Sequence, residues 1–553
     1  MADDPRILVI RTSPELDLEP LLDTASRLFQ NSTIDVLKGD EESHLESEKK
    51  FVQDYVYYEG FAWSKKALTG KLQSTLKQRG YDILFLGVGS EWRDRALGLK
   101  LFAWRTGIGS VILMDEHGEA KAYNRGSWLL RSLYVETVWR VGYKILVEKD
   151  ERLALAELKL VPWRRKLKRK TRTGKKRIAV VTYSLGVGGV QKQILELARG
   201  LDRSQYELQV YLLVKEEAFF EPALRELNIP VFYLYETPQR MLLYRKMASE
   251  LAKALASFDP HVIHSYMNYP SVVACLAAGL TRPDVLMTSI RTLTGKGAGF
   301  YTWQGETCRE LDRAMVQASD VVVGNSQAVL SDYSQWTGLS DEKMQVVYNG
   351  IDPQAFDSVG PEEVKELRES MELSPNKPLV LTVGRLSAEK GQVTFCRAME
   401  RLVQTNPDVR GVLVGEGNTK SLLRTQFKSL EDAGALEFAG NRSDVPTWMR
   451  AADVVVLTSE IEGLPNVLIE AAWAETPVVT TACGGGEEVV EDGVTGFVVP
   501  VGDDEAVAAR VRELLADPAK AKAMGAAARL RAQAMFSPDK MVSDTVAHYC
   551  GVN

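Results

Sequence analysis

Two carboxylates, Glu462 and Glu470, bracket a Gly-Leu-Pro turn that follows the apolar run Val454–Leu457. The run predicts a buried parallel strand, and Pro465 suits the first turn of the helix that would follow. Both acids should then lie at the carboxyl end of a strand, where open α/β sheets bind their ligands. Because carboxylates accept strong hydrogen bonds from hydroxyl groups, this pattern favours a site for a sugar or another polyol. In the alternative interpretation, Glu470 only complements the positive amino end of its helix.

Three further groups of residues follow predicted strands in the same part of the chain. Arg385 and Lys390 lie in a loop that enters a helix, and two cations in such a loop suit a diphosphate. The glycines of residues 483–488 can present backbone N–H groups to the same phosphates, and Gly415 lies in the flexible turn 413–417. Taken singly, these residues could also be surface cations and ordinary turns.

A glycine loop also follows the predicted strand 177–182. A phosphate site requires this order of strand, glycine loop and helix, but residues 184–189 lack the GxGxxG spacing and the Lys-Ser or Lys-Thr of a P-loop. Dinucleotide or ATP binding is therefore disfavoured. Gly188 and Gly189 instead predict a close approach of the backbone to a ligand, because they remove the side chains that would block it.

Alternating strands and helices must position these residues, and the apolar runs fall into three series. The first series predicts a small parallel-sheet domain with strands at 7–10, 34–37, 83–86, 111–114 and 145–147. The second predicts strands at 177–182, 208–214, 231–234, 262–265, 285–289, 321–324 and 345–348. The third predicts strands at 379–383, 411–414, 436–438, 454–457, 478–480 and 496–499. The last two series predict two Rossmann-like, doubly wound domains with a cleft between them, and Glu462 and Glu470 should lie on the second domain's side of that cleft.

Length and composition are those of an ordinary globular protein. The 553 residues predict about three domains, and 45% hydrophobic residues allow large cores. The five cysteines show no CxxC spacing, which favours a reducing compartment over disulfides or a zinc site. No secretory signal and no apolar run of about 18–20 residues are evident, so we expect a cytoplasmic protein.

The charge is unevenly distributed along the chain. Ten basic residues and no acidic one lie within 164–177, although the formal net charge is -6. Just upstream, apolar and aromatic residues recur at helical spacing within 128–146, interleaved with charged residues. This combination favours a segment that lies on an anionic membrane surface. The alternatives are a core helix followed by a solvated linker and, less favoured because the rest of the chain is acidic, contact with nucleic acid.

The motifs of residues 177–545 resemble those of the retaining nucleotide-sugar glycosyltransferases of family 4, which have the GT-B fold. The resemblance rests on SLGVGG, VGRLSAEKG, LVGEG, DVVVLTSEIEGLPNVLIEAAWAETPVV and GGGEEVVEDGVTGFVV. It implies an α/β GT-B architecture preceded by a smaller α/β domain. The predicted segments are an accessory domain (1–160), a polybasic linker (161–177), an acceptor domain (178–350), a nucleotide-sugar donor domain (351–535) and a helix returning to the acceptor domain (536–553). Nothing in residues 1–160 assigns them an activity.

The resemblance also implies roles for individual residues. Arg385 and Lys390 would hold the donor diphosphate and stabilise its charge as the bond to the sugar breaks. Glu470 would bind the ribose hydroxyls, and Glu462 would bind the transferred sugar. Other residues would contact the donor through the backbone or by close approach, namely Gly188, Gly189, Gly384, Gly415, Gly463, Leu464, Pro465, Asn466, Val467, Gly484, Gly485 and Gly486.

His264 and the cofactors complete the implied site. Many family members carry His-x-His at the end of a strand of the first domain, where this chain has His264, Ser265 and Tyr266. His264 is thus a candidate catalytic residue, and a packed histidine is the alternative. A glutamate, Glu487, replaces the proline of the common Gly-Gly-x-Pro-Glu. The resemblance implies no metal, no cofactor and no carboxylate nucleophile.

The predicted function is transfer of a hexose-type sugar, with retention, from a nucleoside diphosphate sugar to a glycan or lipid-linked acceptor. Expected partners are that nucleotide sugar, the acceptor and an anionic membrane, at the inner face of the cell membrane, and not nucleic acid. One alternative is a GT-B enzyme with a soluble acceptor, such as a sucrose-phosphate-type synthase. The other is a catalytically silent GT-B scaffold of a polysaccharide assembly complex. The presence of all four charged residues, Arg385, Lys390, Glu462 and Glu470, disfavours this alternative, because a scaffold would not need them.

Overall fold

The computed structural model divides the chain into two units, Met1–Glu148 and Lys149–Asn553. It describes six strands in the first unit and then residues 140–166, 172–186, 188–215, 218–236, 243–294, 305–340, 342–374 and 377–550. Residues 128–139 of the proposed membrane segment and residues 167–171 of the basic run lie outside this description.

The first unit contains a sheet of six described strands in the order β3-β2-β1-β4-β5-β6. Its strands are parallel except β6, which pairs antiparallel with β5. The bounds are Arg6–Arg11 (β1), Thr33–Gly39 (β2), Asp54–Tyr58 (β3), Ile83–Gly87 (β4), Ser110–Met114 (β5) and Ala120–Asn124 (β6). Four of the predicted strands are confirmed, while β3 and β6 were missed because their charged or mixed sequences lack an apolar run.

The predicted strand at 145–147 is wrong, because these residues lie inside helix α1, Arg140–Leu158. The β-branched residues of that short run favour a strand locally, but good helix formers surround them. Ala154 and Leu158 lie four residues apart on α1 and are both buried, so one face of the helix packs in a core. The next helix, α2, covers Val161–Lys166.

The second unit contains two parallel sheets, which confirms the predicted pair of Rossmann-like domains. The first sheet, in the domain we call the β7 domain, has the order β13-β12-β11-β10-β7-β8-β9. Its strands are Lys176–Thr182 (β7), Tyr206–Leu212 (β8), Val231–Tyr233 (β9), Val262–Tyr266 (β10), Val285–Ile290 (β11), Val321–Gly324 (β12) and Met344–Val346 (β13). Its helices are Gly189–Gly200 (α3), Glu221–Glu226 (α4), Tyr244–Leu255 (α5), Asn268–Thr281 (α6), Gly305–Ala318 (α7) and Gln327–Thr337 (α8).

The second sheet, in the β14 domain, has the order β16-β15-β14-β17-β18-β19. Its strands are Leu379–Val383 (β14), Arg410–Val414 (β15), Leu436–Gly440 (β16), Val454–Leu457 (β17), Val478–Thr481 (β18) and Phe497–Val499 (β19). Helices α9 to α18 are Gln354–Asp357, Pro361–Ser370, Gln392–Thr405, Lys420–Gln426, Lys428–Asp432, Val445–Ala451, Asn466–Trp473, Gly486–Val489, Asp504–Ala516 and Pro518–Met535. The all-buried strand β17 reflects helices on both faces of the sheet.

The last helix, α19 (Pro538–His548), belongs to the β7 domain although it follows the β14 domain in sequence. Met541, Val542 and Tyr549 are buried in the same hydrophobic core as strands β7 and β8. The chain therefore passes between the domains twice, and the two connections touch, since the Ile351 N–H donates to the Phe536 carbonyl at 3.0 Å.

Part of the basic run has a structural role. Arg165 is buried and its guanidinium lies 2.6 Å from Asp320, while only 1% of the Arg172 side chain is exposed between Asp259 and Asp284, each 3.1 Å away. Both arginines therefore fix α2 and the segment after it to the β7 domain, and they are not available to lipid. Among the described helices, none is long and apolar enough to cross a membrane.

Candidate active site

Lys390 and Glu462 form an ion pair at the carboxyl ends of the neighbouring strands β14 and β17. The Lys390 ammonium donates to Glu462 Oε1 at 2.6 Å, and the Ser459 hydroxyl donates to the same oxygen at 2.7 Å. Both charged side chains remain partly exposed, at 25% and 13%. The structure thus brings together two residues that lie far apart in sequence, at the edge where doubly wound sheets bind ligands.

A glycine brings the Lys390 loop close to the end of β17. Lys390 ends a 3-10 turn, Ala388–Lys390, and Gly391 follows with φ at +61°. A Cβ on Gly391 would lie 2.2 Å from the Thr458 carbonyl oxygen, which is backbone and cannot move aside. Only glycine combines this left-handed conformation with so close an approach.

Arg385 forms its ion pair on the surface of its own loop. Its side chain is 71% exposed, and its guanidinium donates to Glu389 Oε1 at 3.0 Å. Burial would raise the pKa of Glu389, but hydrogen bonds from Ser387 and Arg385 outweigh it and lower that pKa. Glu389 was not among the predicted site residues, although its spacing four residues after Arg385 is the signal of a local ion pair.

Glu470 forms an ion pair that crosses from one domain to the other. It lies on α15, Asn466–Trp473, and its Oε1 accepts a hydrogen bond at 2.9 Å from the ammonium of Lys192 on α3. Glu470 therefore does more than complement the amino end of its helix. Lys192 was not among the predicted site residues, and its place three residues after Gly189, on the helix that follows the glycine loop, was the available signal.

The glycine loop of the β7 domain faces the start of α15. Gly188 precedes α3 with an extended backbone, and a Cβ on Gly189 would lie 3.1 Å from the Asn466 side-chain nitrogen. Asn466 in turn accepts a hydrogen bond at 2.7 Å from the amide of Asn349, in the β7 domain. The glycine loop of the β7 domain and the start of α15 thus meet across the cleft.

Further contacts across the cleft surround Gly463. The Ser326 hydroxyl donates to the Gly463 carbonyl at 2.6 Å, and a Cβ on Gly463 would lie 2.5 Å from the Arg291 carbonyl oxygen. Nearby, the Glu488 carboxylate accepts hydrogen bonds at 2.8 and 2.7 Å from the first two N–H groups of α8, Gln327–Thr337. A carboxylate suits a helix amino end because it neutralises unpaired N–H groups. We call this arrangement, in which the two domains touch across the cleft, the closed arrangement.

The remaining predicted donor residues form the floor of this region. The Glu462 N–H donates to the Cys483 carbonyl at 2.7 Å, and the Gly485 N–H donates to the Glu462 carbonyl at 3.1 Å. A Cβ on Gly485 would lie 1.8 Å from the Gly463 carbonyl oxygen. Leu464, Pro465, Gly484 and Gly486 lie in the same two turns, and Val467 lies on α15. Gly384 directly follows β14 and Gly415 directly follows β15. Leu464 and Pro465 are buried, and Val467 is half-buried.

The structure does not bring His264 into the cleft. The ring is fully buried, with Nδ1 2.8 Å from the Tyr549 hydroxyl and Nε2 2.7 Å from the Ser289 hydroxyl. Burial, followed by the Arg291 guanidinium, holds the pKa of His264 well below its usual value of 6.5. Both ring nitrogens have hydroxyl partners within the core, which fits the alternative of a packed histidine, and a catalytic role for His264 has no support from its position.

Two family models and several known proteins match the part of the chain that forms the two domains. Residues 187–355 match the family model Glycosyltransferase Family 4, and residues 363–531 match Glycosyl transferases group 1. The Vi polysaccharide biosynthesis protein VipC/TviE of Salmonella typhi is 26% identical over 58% of this chain, which spans 62% of that protein. The alpha-maltose-1-phosphate synthase of Mycobacterium tuberculosis is 29% identical over 55% of this chain and 82% of its own.

A solved structure shows the same fold. The crystal structure of Anabaena Alr3699/HepE in complex with UDP and glucose has a TM-score of 0.58 and 23% identity, over 68% of this chain and 99% of that one. Both family models fall on the two domains whose facing edges carry the ion pairs described above. Together, the matches and the fold place residues 187–531 among the glycosyltransferases with the GT-B fold.

Proposed function

We propose that the protein transfers a hexose-type sugar, with retention, from a nucleoside diphosphate sugar to a glycan or lipid-linked acceptor at the cytoplasmic face of the cell membrane. One observation carries this proposal. Lys390, Glu462 and Glu470 converge at the carboxyl ends of β14 and β17, opposite the glycine loop that begins α3. A cation, two carboxylates and approachable backbone are the groups that a diphosphate, a sugar and a ribose would require.

Lys390 and Glu462 would bind different parts of the donor, Lys390 the diphosphate and Glu462 the sugar. Both hydrogen bonds to Glu462 end on Oε1, so Oε2 is the atom that would accept from a sugar hydroxyl. The Lys390 ammonium would stabilise the charge that grows on the leaving diphosphate, without a metal. A carboxylate already bound to an ammonium is a weak nucleophile, which favours attack by the acceptor on the face from which the phosphate departs.

Arg385 would join this site by exchanging partners. Its exposed guanidinium is bound only to the carboxylate of Glu389 among the contacts described, and exposed ion pairs of this kind contribute only about 0–1 kcal/mol. A diphosphate carries more negative charge than one carboxylate. We therefore infer that donor binding draws Arg385 from Glu389 to the phosphates.

The membrane part of the proposal is supported by exposed residues on α2, on α6 and just before α2. Trp163 is 62% exposed, Leu160 46% and Leu280 57%, and the basic Arg164 and Lys166 lie on the same short helix as Trp163. Exposed aromatic and apolar side chains beside cations suit an interface with anionic lipid.

Vesicle sedimentation tests the membrane part. Trp163→Glu should reduce binding of the full chain to vesicles that contain phosphatidylglycerol, because it places a negative charge at this surface. Phe219→Glu is the matched control, since Phe219 is 65% exposed elsewhere in the β7 domain. Equal binding by both variants, or no binding by the unaltered protein, would remove the membrane from the proposal.

Nucleotide-sugar turnover tests the chemistry. The purified protein is screened with UDP-, GDP-, ADP- and CDP-sugars for thermal stabilisation, slow donor hydrolysis and transfer. Lys390→Ala and Glu470→Ala should abolish turnover while leaving the melting temperature nearly unchanged. Lys428→Ala is the control, because Lys428 forms an exposed ion pair with Asp432 on the same domain. Turnover at the original rate by Lys390→Ala would refute the assignment, and stabilisation without turnover by the unaltered protein would favour a silent scaffold.

A further inference from the structure

The ion pair between Lys192 and Glu470 is built by the two helices that meet across the cleft. α3 begins at Gly189 and α15 begins at Asn466, and a Cβ on Gly189 would lie 3.1 Å from the Asn466 side-chain nitrogen. Lys192 and Glu470 each lie about one turn further along their helices. The pair therefore forms only while the two domains are closed on each other.

Lys192 has a local carboxylate with which it forms no ion pair among the contacts that the structure describes. Glu196 follows it by four residues on α3, the spacing at which helical ion pairs form. Glu196 Oε1 instead accepts a hydrogen bond at 2.8 Å from Arg199. The ammonium of Lys192 is thereby left to bind Glu470, on the other domain.

Stability alone does not account for this pair. With side-chain exposures of 32% and 17%, it is half-buried, and ion pairs near the surface contribute little to folding. Its effect on geometry is larger, because an ammonium 2.9 Å from Oε1 fixes the orientation of a carboxylate that can accept about four hydrogen bonds.

We propose that Lys192 is a positioning residue of the donor site, which holds the Glu470 carboxylate from the opposite domain so that it meets the ribose hydroxyls. This inference rests on the proposed role of Glu470 in ribose binding. Its consequence is that the β14 domain recognises ribose fully only when the β7 domain has closed on it.

The test compares ribose with 2′-deoxyribose, since only the former offers the 2′-hydroxyl. Isothermal titration measures the affinity of the full chain for UDP, ADP, GDP and CDP and for the 2′-deoxy form of whichever binds. A hydrogen bond to a charged group predicts a preference for ribose of at least about tenfold in the unaltered protein. Lys192→Met should reduce it to about two- to threefold and leave the affinity for the deoxy form unchanged, while Lys192→Arg should restore most of it. Lys215→Met, which removes an exposed ion pair with Glu236 on the same domain, should behave as the unaltered protein.

Each other outcome overturns the proposal in a distinguishable way. Tighter binding of the ribose form by Lys192→Met would show that Lys192 competes with ribose for Glu470. An equal loss for both forms would show a purely structural role, and no change would show an incidental pair. If the unaltered protein binds none of the four nucleoside diphosphates, the proposed function itself fails, and this inference fails with it.

Discussion

Replacing Gly463 with alanine should impair closure of the cleft while each domain remains folded. The added Cβ would lie 2.5 Å from the Arg291 carbonyl oxygen and 3.3 Å from a methyl carbon of Val329, both in the other domain. The φ of Gly463 lies outside the left-handed region, so alanine is compatible with its backbone. The clash therefore affects only the closed arrangement of the two domains.

The size of the effect follows from the shortfall in distance. Ordinary contacts of a Cβ begin at 3.4 Å, so the shortfall at Arg291 is 3.4 minus 2.5, or about 0.9 Å. No rotamer change can relieve it, because it involves a Cβ and a backbone oxygen. Overpacking of this kind costs roughly 1–3 kcal/mol, which corresponds to a reduction of about 5- to 150-fold in kcat/KM if turnover requires closure.

The assay combines steady-state turnover of the nucleotide sugar with thermal unfolding. Gly463→Ala should lower kcat/KM by that factor and change the melting temperature little. Gly360→Ala is the control, since the nearest atom to its Cβ would be 3.9 Å away, on Glu363 of the same domain. Undiminished turnover by Gly463→Ala would refute the view that the domains must approach each other at Gly463 during catalysis, and a large fall in melting temperature would show that the clash lies within a domain.

Three further predictions concern the interior of the β7 domain. Tyr549→Phe removes the hydroxyl bonded to Nδ1 of His264 and should lower the free energy of unfolding by roughly 1–2 kcal/mol in urea titrations, with turnover retained. Burial lowers the pKa of His264 below 6.5 in the folded protein, so the contribution of this residue to stability is complete above that pH and is lost as the pH falls toward the folded pKa. The midpoint of urea unfolding should therefore fall between pH 7.5 and pH 5.5. The fall should be less steep in His264→Gln. Arg172→Met should cost about 3 kcal/mol, at the low end for a broken buried ion pair because its two aspartates are partly exposed, whereas Lys175→Met at an exposed site should cost under about 0.5 kcal/mol.

The parallel sheets and the residues at their carboxyl ends could be predicted from sequence, since both depend on local patterns. The apolar run of β17 and the turn before Pro465 place Glu462 and Glu470 just after the carboxyl end of that strand. The short run at 145–147 shows the limit of such patterns. Its three residues favour a strand locally, but they belong to a longer helix, and the packing of that helix decides their structure.

The partners of the site residues could not be predicted in the same way. Whether Glu470 meets Lys192 depends on how two domains pack, and no spacing in the sequence encodes that distance. Arg385 is the opposite case, because its guanidinium donates to Glu389, a neighbour on the same loop. His264 matched a motif position, yet its depth in the core and its two hydroxyl partners decide its chemistry.

The position of α19 has a consequence for how the chain reaches its native state during synthesis. The β7 domain is made before the β14 domain, but its core includes Met541, Val542 and Tyr549. Until those residues have left the ribosome, the apolar surface that they cover stays open to water and to other chains. The β14 domain, continuous in sequence from residue 351 to residue 535, can fold first, so the domain translated earlier is the one completed later.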